Sequence, residues 1–327
     1  MKKDVRGGRI TLAAPAKVNL YLGVHTQKDE RGYHLVDSVM AALALCDEVT
    51  VEAARDLRVV MEPGIDVPVE HGNVWKAAVR LAGAFGVPAR AHIHVRQRIP
   101  MCAGLGGSSS DAGATLRGLC ALWGIDVADP RVAAVARGIG ADVPFFLDPR
   151  PSHLVGGGDV LAETFAGLPP LSVVLVKPGA GVSTVESYRD FDRDPVPEGD
   201  LEALLAALRA LPAEGDRHAD ENDWHAAEDD RCTAEDDRRA AAASVLAHAS
   251  NNLDPVACRL LSADAEIKAW LAAQSGTSSV LVTGSGSCVF AVADTPARAE
   301  SIAADARARG WWSCATEFAG AARDEVC

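Results

Sequence analysis

Between Ile99 and Ala112 the chain runs PMCAGLGGSSSD, and these residue types suit one task, holding an anion. Gly104, Gly106 and Gly107 carry no Cβ, so backbone N–H groups there can approach a phosphate closely. Ser108, Ser109 and Ser110 add hydroxyls able to bind phosphate oxygens or a magnesium ion, and Asp111 is placed to cap the helix predicted from the next apolar residues. The loop lacks the lysine of the pattern GxxxxGK(S/T) and does not match GxGxxG followed by a ribose-binding acid, so neither an ordinary P-loop nor a Rossmann site is expected. A glycine turn with a Ser-rich helix start fits the same residues, and the loop alone does not decide between the two.

A second chemistry lies in Lys17 and Asp142. Asp142 falls in GADVPFF, among apolar residues and just before a proline that restricts Val143. A carboxylate so placed needs a partner or changes its pKa. Lys17, in a stretch of small and apolar residues, is a candidate partner, and such a pair can orient a substrate hydroxyl and help remove its proton. On composition alone, a structural ion pair or two unrelated surface charges is the favoured reading.

The elements that must position these groups follow from periodicity. Residues 9–24 alternate around Pro15 and predict two short strands joined by a bend, with Lys17 and Asn19 on one face. Further strands are expected at 48–53, 91–98, 171–177, 279–283 and 287–292. Helices are expected at 73–85, where Asn73 can cap, and after the glycine loop. Others are expected near 129–138, 184–190, 200–210, 240–249, 253–273 and 295–308. Strands and helices mixed without strict alternation predict an α+β protein. Domains are expected at 1–165 and 166–327, meeting before the strand LSVVLVKP. The apparent pair His92 and His94 has no adjoining carboxylate in sequence, so a structural role is expected and no histidine metal site.

Composition narrows the class. The 327 residues carry 32 Lys+Arg against 45 Asp+Glu, a net charge of −13, which argues against nucleic acid as a partner. Residues 214–237 hold eleven acids and two arginines, so an acidic, flexible insertion is expected at about 213–240. No stretch approaches the roughly eighteen apolar residues of a membrane helix. The eight cysteines form no CxxC pair, so free thiols are expected. The start MKKDVRGGRITLAAPAK lacks the apolar run of an export signal, so a cytoplasmic location is expected.

Three ordered segments, PAKVNLYLGV, PMCAGLGGSSSDAGA and TGSGSCVFAV, resemble the three motifs of the GHMP kinases. Within that superfamily KDERGYHLVDS, GADVPFFL, GVSTVESY and NNLDPVA are similar to the 4-diphosphocytidyl-2-C-methyl-D-erythritol kinase family. The resemblance implies a two-domain GHMP kinase fold, a ribosomal-protein-like N-terminal domain beside a ferredoxin-like C-terminal domain, with ATP, magnesium and a small substrate bearing a cytidine diphosphate group in the cleft. It implies Lys17 and Asp142 as the catalytic pair. Pro100, Met101, Cys102, Ala103, Gly104, Leu105, Gly106, Gly107, Ser108, Ser109 and Ser110 would wrap the ATP phosphates. Asn19, Tyr33, His34, Thr184 and Tyr188 would bind the substrate, with cytosine between Tyr33, His34 and Tyr188. Gly284, Ser285, Gly286 and Ser287 would approach the phosphates or brace the first loop. Cys102 stands where that family carries glycine or alanine, Ser108 replaces the third glycine of a GGG run, and DPRPSHL replaces a glycine-containing turn.

Overall fold

The structure, a computed structural model, describes residues 2–4, 8–64, 68–212 and 226–320, with residues 2–4 and 226–235 described in backbone alone. The first half of the chain contributes β1 (Lys2–Asp4), β2 (Arg9–Lys28), β3 (His34–Ala53), β4 (Leu57–Glu62), α1 (Asn73–Phe85), β5 (Ala91–Arg96), α2 (Gly107–Trp123), α3 (Pro130–Ile139), β6 (Ser152–Val155) and β7 (Val160–Thr164). The second half contributes β8 (Ser172–Lys177), α4 (Thr184–Arg193), α5 (Leu201–Arg209), α6 (Ala226–Ala247), β9 (Ser250–Asn251), α7 (Asp254–Leu260), α8 (Ser262–Ala272), β10 (Thr277–Val282), β11 (Val289–Ala293), α9 (Pro296–Ala308) and β12 (Trp312–Glu317).

β2 and β3 form a long antiparallel hairpin at the centre of the first sheet. Where two short strands and a bend are expected, β2 runs as one strand, and its pairing with β3 shifts register opposite Pro15–Lys17. Proline has no N–H to give to the ladder, so the shift falls where pairing is already broken. One end of β3 pairs with β5 and the other with β6. β4, unanticipated from its charged sequence, lies parallel to β5 with α1 as the crossover between them. Ile10, Leu12 and Ala14 of β2 enter a core beneath α1, α2 and α3.

The second sheet has the antiparallel order β10-β11-β8-β12. A β-α-β-β-α-β succession with this order is the ferredoxin-like arrangement, and α9 and α8 pack on the sheet. Val18 and Leu20 of β2 share one apolar core with Leu175, Phe290 and Phe318 of the second half. This two-layer union of mixed elements is the expected two-domain α+β fold. We propose the domain boundary at 165/166, in the connection from β7 to β8, although β9 returns to pair in parallel with β2.

The long helix expected at 253–273 divides at Leu261, whose extended backbone separates α7 from α8. The expected insertion at 213–240 is helical from Ala226 onward as part of α6, and its residues 213–225 lie outside the described residues. Among the described residues no helix is long and apolar enough to cross a membrane. Cys102, Cys120, Cys258, Cys288 and Cys314 are free, but Cys46 is disulfide-bonded, which corrects the expectation of free thiols throughout.

Candidate active site

Lys17 sits at the middle of β2, almost wholly buried, and its backbone N–H donates to Leu105 O at 2.9 Å, tying the strand to the glycine loop. Its Nζ donates to Asn19 Oδ1 at 2.6 Å, which confirms the shared strand face. Asn19 Nδ2 in turn donates to Ser38 Oγ at 2.9 Å. Asp142 follows α3 in a tight turn anchored by the buried Phe145 and Phe146, and its Oδ2 lies 3.7 Å from Lys17 Nζ. The lysine side chain is 4% exposed and the aspartate 35%, so the pair is open on the carboxylate side alone. Asp142 is therefore less enclosed than its apolar neighbours in sequence suggest.

The loop from Pro100 to Gly106 leads into α2, whose N-cap is Gly106 at φ 73°. Residues 100–109 line a cavity of about 380 Å³ together with Val59, Met61, Val69 and Asn73. The opening turn of a helix presents unpaired N–H groups and positive potential, so this cavity suits an anion at its loop end and an apolar ring at its β4 end. Cys102 is exposed and adopts φ 53°, a conformation that favours glycine. Asn73 lies inside α1 rather than capping it, and donates to Ser108 Oγ at 3.1 Å. Asp111 is a buried residue within α2 and not its cap. Ser110 is fully buried with its hydroxyl unpartnered, whereas Ser109 lines both this cavity and the next.

The third glycine motif braces this loop. Cys288 N–H donates to Ala103 O at 3.2 Å, and Asn251 Nδ2 holds the motif through Val282 O and Gly284 O at 2.8 and 2.9 Å. A Cβ on Gly104, at φ +72°, would collide with the Thr283 carbonyl oxygen. Gly104→Ala therefore adds left-handed strain of about 1–3 kcal/mol to a backbone clash. We expect a melting temperature lowered by several degrees, measured by thermal unfolding.

A second cavity, of about 310 Å³, adjoins the first and is lined by Lys17, Asn19, Ser38, Asp142, Thr184 and Tyr188 among others. Thr184 and Ser285 hydroxyls are hydrogen-bonded at 3.0 Å. Burial, and secondly the Asp142 charge, pushes the Tyr188 phenol up to about 12, so it stays a neutral ring. His34 lies behind Tyr188 with ring centroids 5.2 Å apart, and its Nδ1 donates to the His25 carbonyl at 2.7 Å. His34 Nε2 is 3.2 Å from Asp192 Oδ1 but makes no hydrogen bond there. Tyr33 does not line the cavity. It is 64% exposed at the rim, beneath the guanidinium of Arg31, which bridges Asp29 and Asp159.

His25 presents one ring nitrogen to Asp37 at 2.8 Å and the other to Glu198 at 2.9 Å, and Asp37 also meets His153. The His153 and His25 hydrogen bonds hold the Asp37 carboxyl below its ordinary range against the opposing effect of burial. One ligand atom each of His25, Asp37 and Glu198 lies within 4.8 Å of the others, a cluster tied to His34 through the His25 carbonyl. His94 pairs with Glu62 at 3.2 Å across β4 and β5, a neighbour that sequence adjacency does not reveal.

Two GHMP kinase domain families match the chain, the N-terminal domain over residues 73–148 and the C-terminal domain over 232–310. The 4-diphosphocytidyl-2-C-methyl-D-erythritol kinase of Shouchella clausii is 32% identical over 302 residues, which cover 90% of this chain and 89% of that protein. The crystal structure of a 4-(cytidine 5'-diphospho)-2C-methyl-D-erythritol kinase matches with a TM-score of 0.71 and 32% identity, over 95% of this chain and 100% of that one. Homoserine kinase from Cytophaga hutchinsonii shares the fold, with a TM-score of 0.63 at 16% identity over 98% of this chain and 97% of that one. With a lysine and an aspartate meeting in a cavity that shares Gly104, Gly106 and Ser109 with the loop cavity, and relatives aligned over most of its length, the chain belongs to the GHMP kinases, in the family of the 4-diphosphocytidyl-2-C-methyl-D-erythritol kinases.

Proposed function

We propose that the protein transfers the terminal phosphoryl group of ATP to the 2-hydroxyl of 4-diphosphocytidyl-2-C-methyl-D-erythritol, in the cytoplasmic methylerythritol phosphate route to isoprenoid precursors. The observation that carries this reading is the Lys17–Asp142 pair in the second cavity, which shares Gly104, Gly106 and Ser109 with the loop cavity. In it ATP occupies the loop cavity, with its phosphates at Gly104–Ser109 and its base toward Val59 and Met61. The substrate occupies the second cavity, with its alcohol at Lys17 and Asp142.

Asp142 accepts the hydroxyl proton as the oxygen attacks the γ-phosphorus and ADP departs. Lys17, fixed by Asn19, holds the hydroxyl and the carboxylate in line. Positioning and electrostatics supply most of such catalysis. The Ser109 hydroxyl, which faces both cavities, would hold magnesium, while Ser110 is too deeply buried to reach it. When bound, magnesium neutralises charge on the phosphates.

Cytosine stacks between Tyr188 and the rim tyrosine Tyr33, while His34, its Nδ1 committed to the His25 carbonyl and its buried Nε2 turned toward Asp192, backs Tyr188 from behind. Base stacking on one aromatic is worth about 1–3 kcal/mol. Tyr188→Ala is therefore expected to raise KM for the cytidine substrate roughly tenfold or more, with KM for ATP unchanged, in steady-state assays. The function itself is tested with purified protein, Mg-ATP and the cytidine diphosphate substrate, by product mass. Gain of one phosphate on that substrate supports the reading. Preferential transfer to homoserine, mevalonate or a sugar would refute it.

A further inference from the structure

Asp47 and Asp111 are buried together beneath the phosphate loop, 0% and 1% exposed, and neither belongs to the catalytic pair. Asp47, on β3, uses Oδ1 to accept the backbone N–H groups of Arg98 and Ile99, the latter at 2.8 Å, where the chain enters the loop. Asp111 lies in α2, where the chain leaves it. Asp47 Oδ2 and Asp111 Oδ1 meet no donor, yet the two carboxyls lie within hydrogen-bonding reach of each other. Two ionised carboxylates are acceptors only, so they cannot bond, and their enclosure without a proton would be costly.

We propose that Asp47 and Asp111 share one proton, and that this acid–carboxylate bridge is the latch joining the entry and exit of the phosphate loop. Asp111 is the proton carrier, because Asp47 already receives two backbone N–H groups that favour its charge, and the cation facing the pair is Arg98, nearer Asp47. Burial, then the Asp47 charge, raises the Asp111 carboxyl well above its ordinary range, in keeping with this assignment. Asp111 is thus a positioning residue. Its support of ATP binding rests on the kinase reading, whereas the shared proton itself does not.

The proton makes stability depend on pH. The unfolded chain releases it above the ordinary carboxyl range while the folded chain keeps it, so stability falls as pH rises from that range up to the folded pKa. Asp111→Asn keeps a permanent donor to Asp47 and has no proton to lose. The ratio of folding constants, variant over wild type, is then expected to rise about tenfold per pH unit through that window, from urea unfolding at a series of pH values. At neutral pH Asp111→Asn should keep KM for ATP within about twofold, while Asp111→Ala, which leaves Asp47 Oδ2 unpaired, raises it about tenfold or more. Stability curves of wild type and Asp111→Asn that stay parallel across pH overturn the shared proton whatever the kinase assay shows. A normal KM in Asp111→Ala overturns the latch alone.

A measurement on the wild type covers the case in which the variants do not fold. Infrared spectra of protein labelled with 13C-aspartate are recorded from about pH 5.5 upward, above the ordinary carboxyl range, where Asp264, which burial pushes up to about 7, accounts for one protonated carboxyl. A second protonated carboxyl there supports the bridge, and one alone overturns it.

Discussion

Asp142→Asn should leave a folded protein that binds ATP and turns over about a thousandfold more slowly, the range expected when a general base is removed. The amide is nearly isosteric, so the tight turn on Phe145 and Phe146 has no reason to rearrange. What disappears is the acceptor for the substrate proton and the charge that faces Lys17 Nζ at 3.7 Å. The effect belongs in kcat, because the ground-state contacts of the base and phosphates lie elsewhere. Single-turnover rates, with a calorimetric ATP titration beside them, separate the two. Turnover near the wild-type rate would remove Asp142 from its role.

Lys17→Met should be almost as damaging, lowering kcat by about two to three orders of magnitude. Here stability points the other way. Burying a cation is costly, and a well-packed apolar side chain of similar length is often neutral or stabilising in its place. Asn19 Oδ1 would keep the Thr283 hydroxyl as a second donor at 3.4 Å, so no acceptor is orphaned. Thermal unfolding should therefore show little change while activity collapses, which separates a catalytic lysine from a structural one. Since the pair acts as a unit, the double variant Lys17→Met/Asp142→Asn should be no slower than Asp142→Asn alone.

The parts of this site that were legible in the sequence are those written in local spacing. Glycines at 104, 106 and 107 ahead of an apolar helix pattern announce a loop and helix start, and the alternation around Pro15 places Lys17 and Asn19 on one face. Cavity walls built from distant segments were not legible. Ser38, Gly157 and Gly158 join the second cavity through β3 and the turn between β6 and β7, and no local pattern links them to Asp142. β4 escaped notice because RDLRVVME mixes charge into a strand whose parallel partner is reached only through α1. Asp111 reads locally as a helix cap, and its true partner, Asp47, lies on another strand of the fold.

The brace between Gly104 and Thr283 bears on how such a chain can diverge. Its two halves cannot drift as separate modules, because the C-terminal backbone fills the space that any side chain at residue 104 would need. A graft of the second half from a relative would carry the shape of the nucleotide loop with it, so inheritance of ATP fit and of the distal sheet is linked through a single missing methyl group.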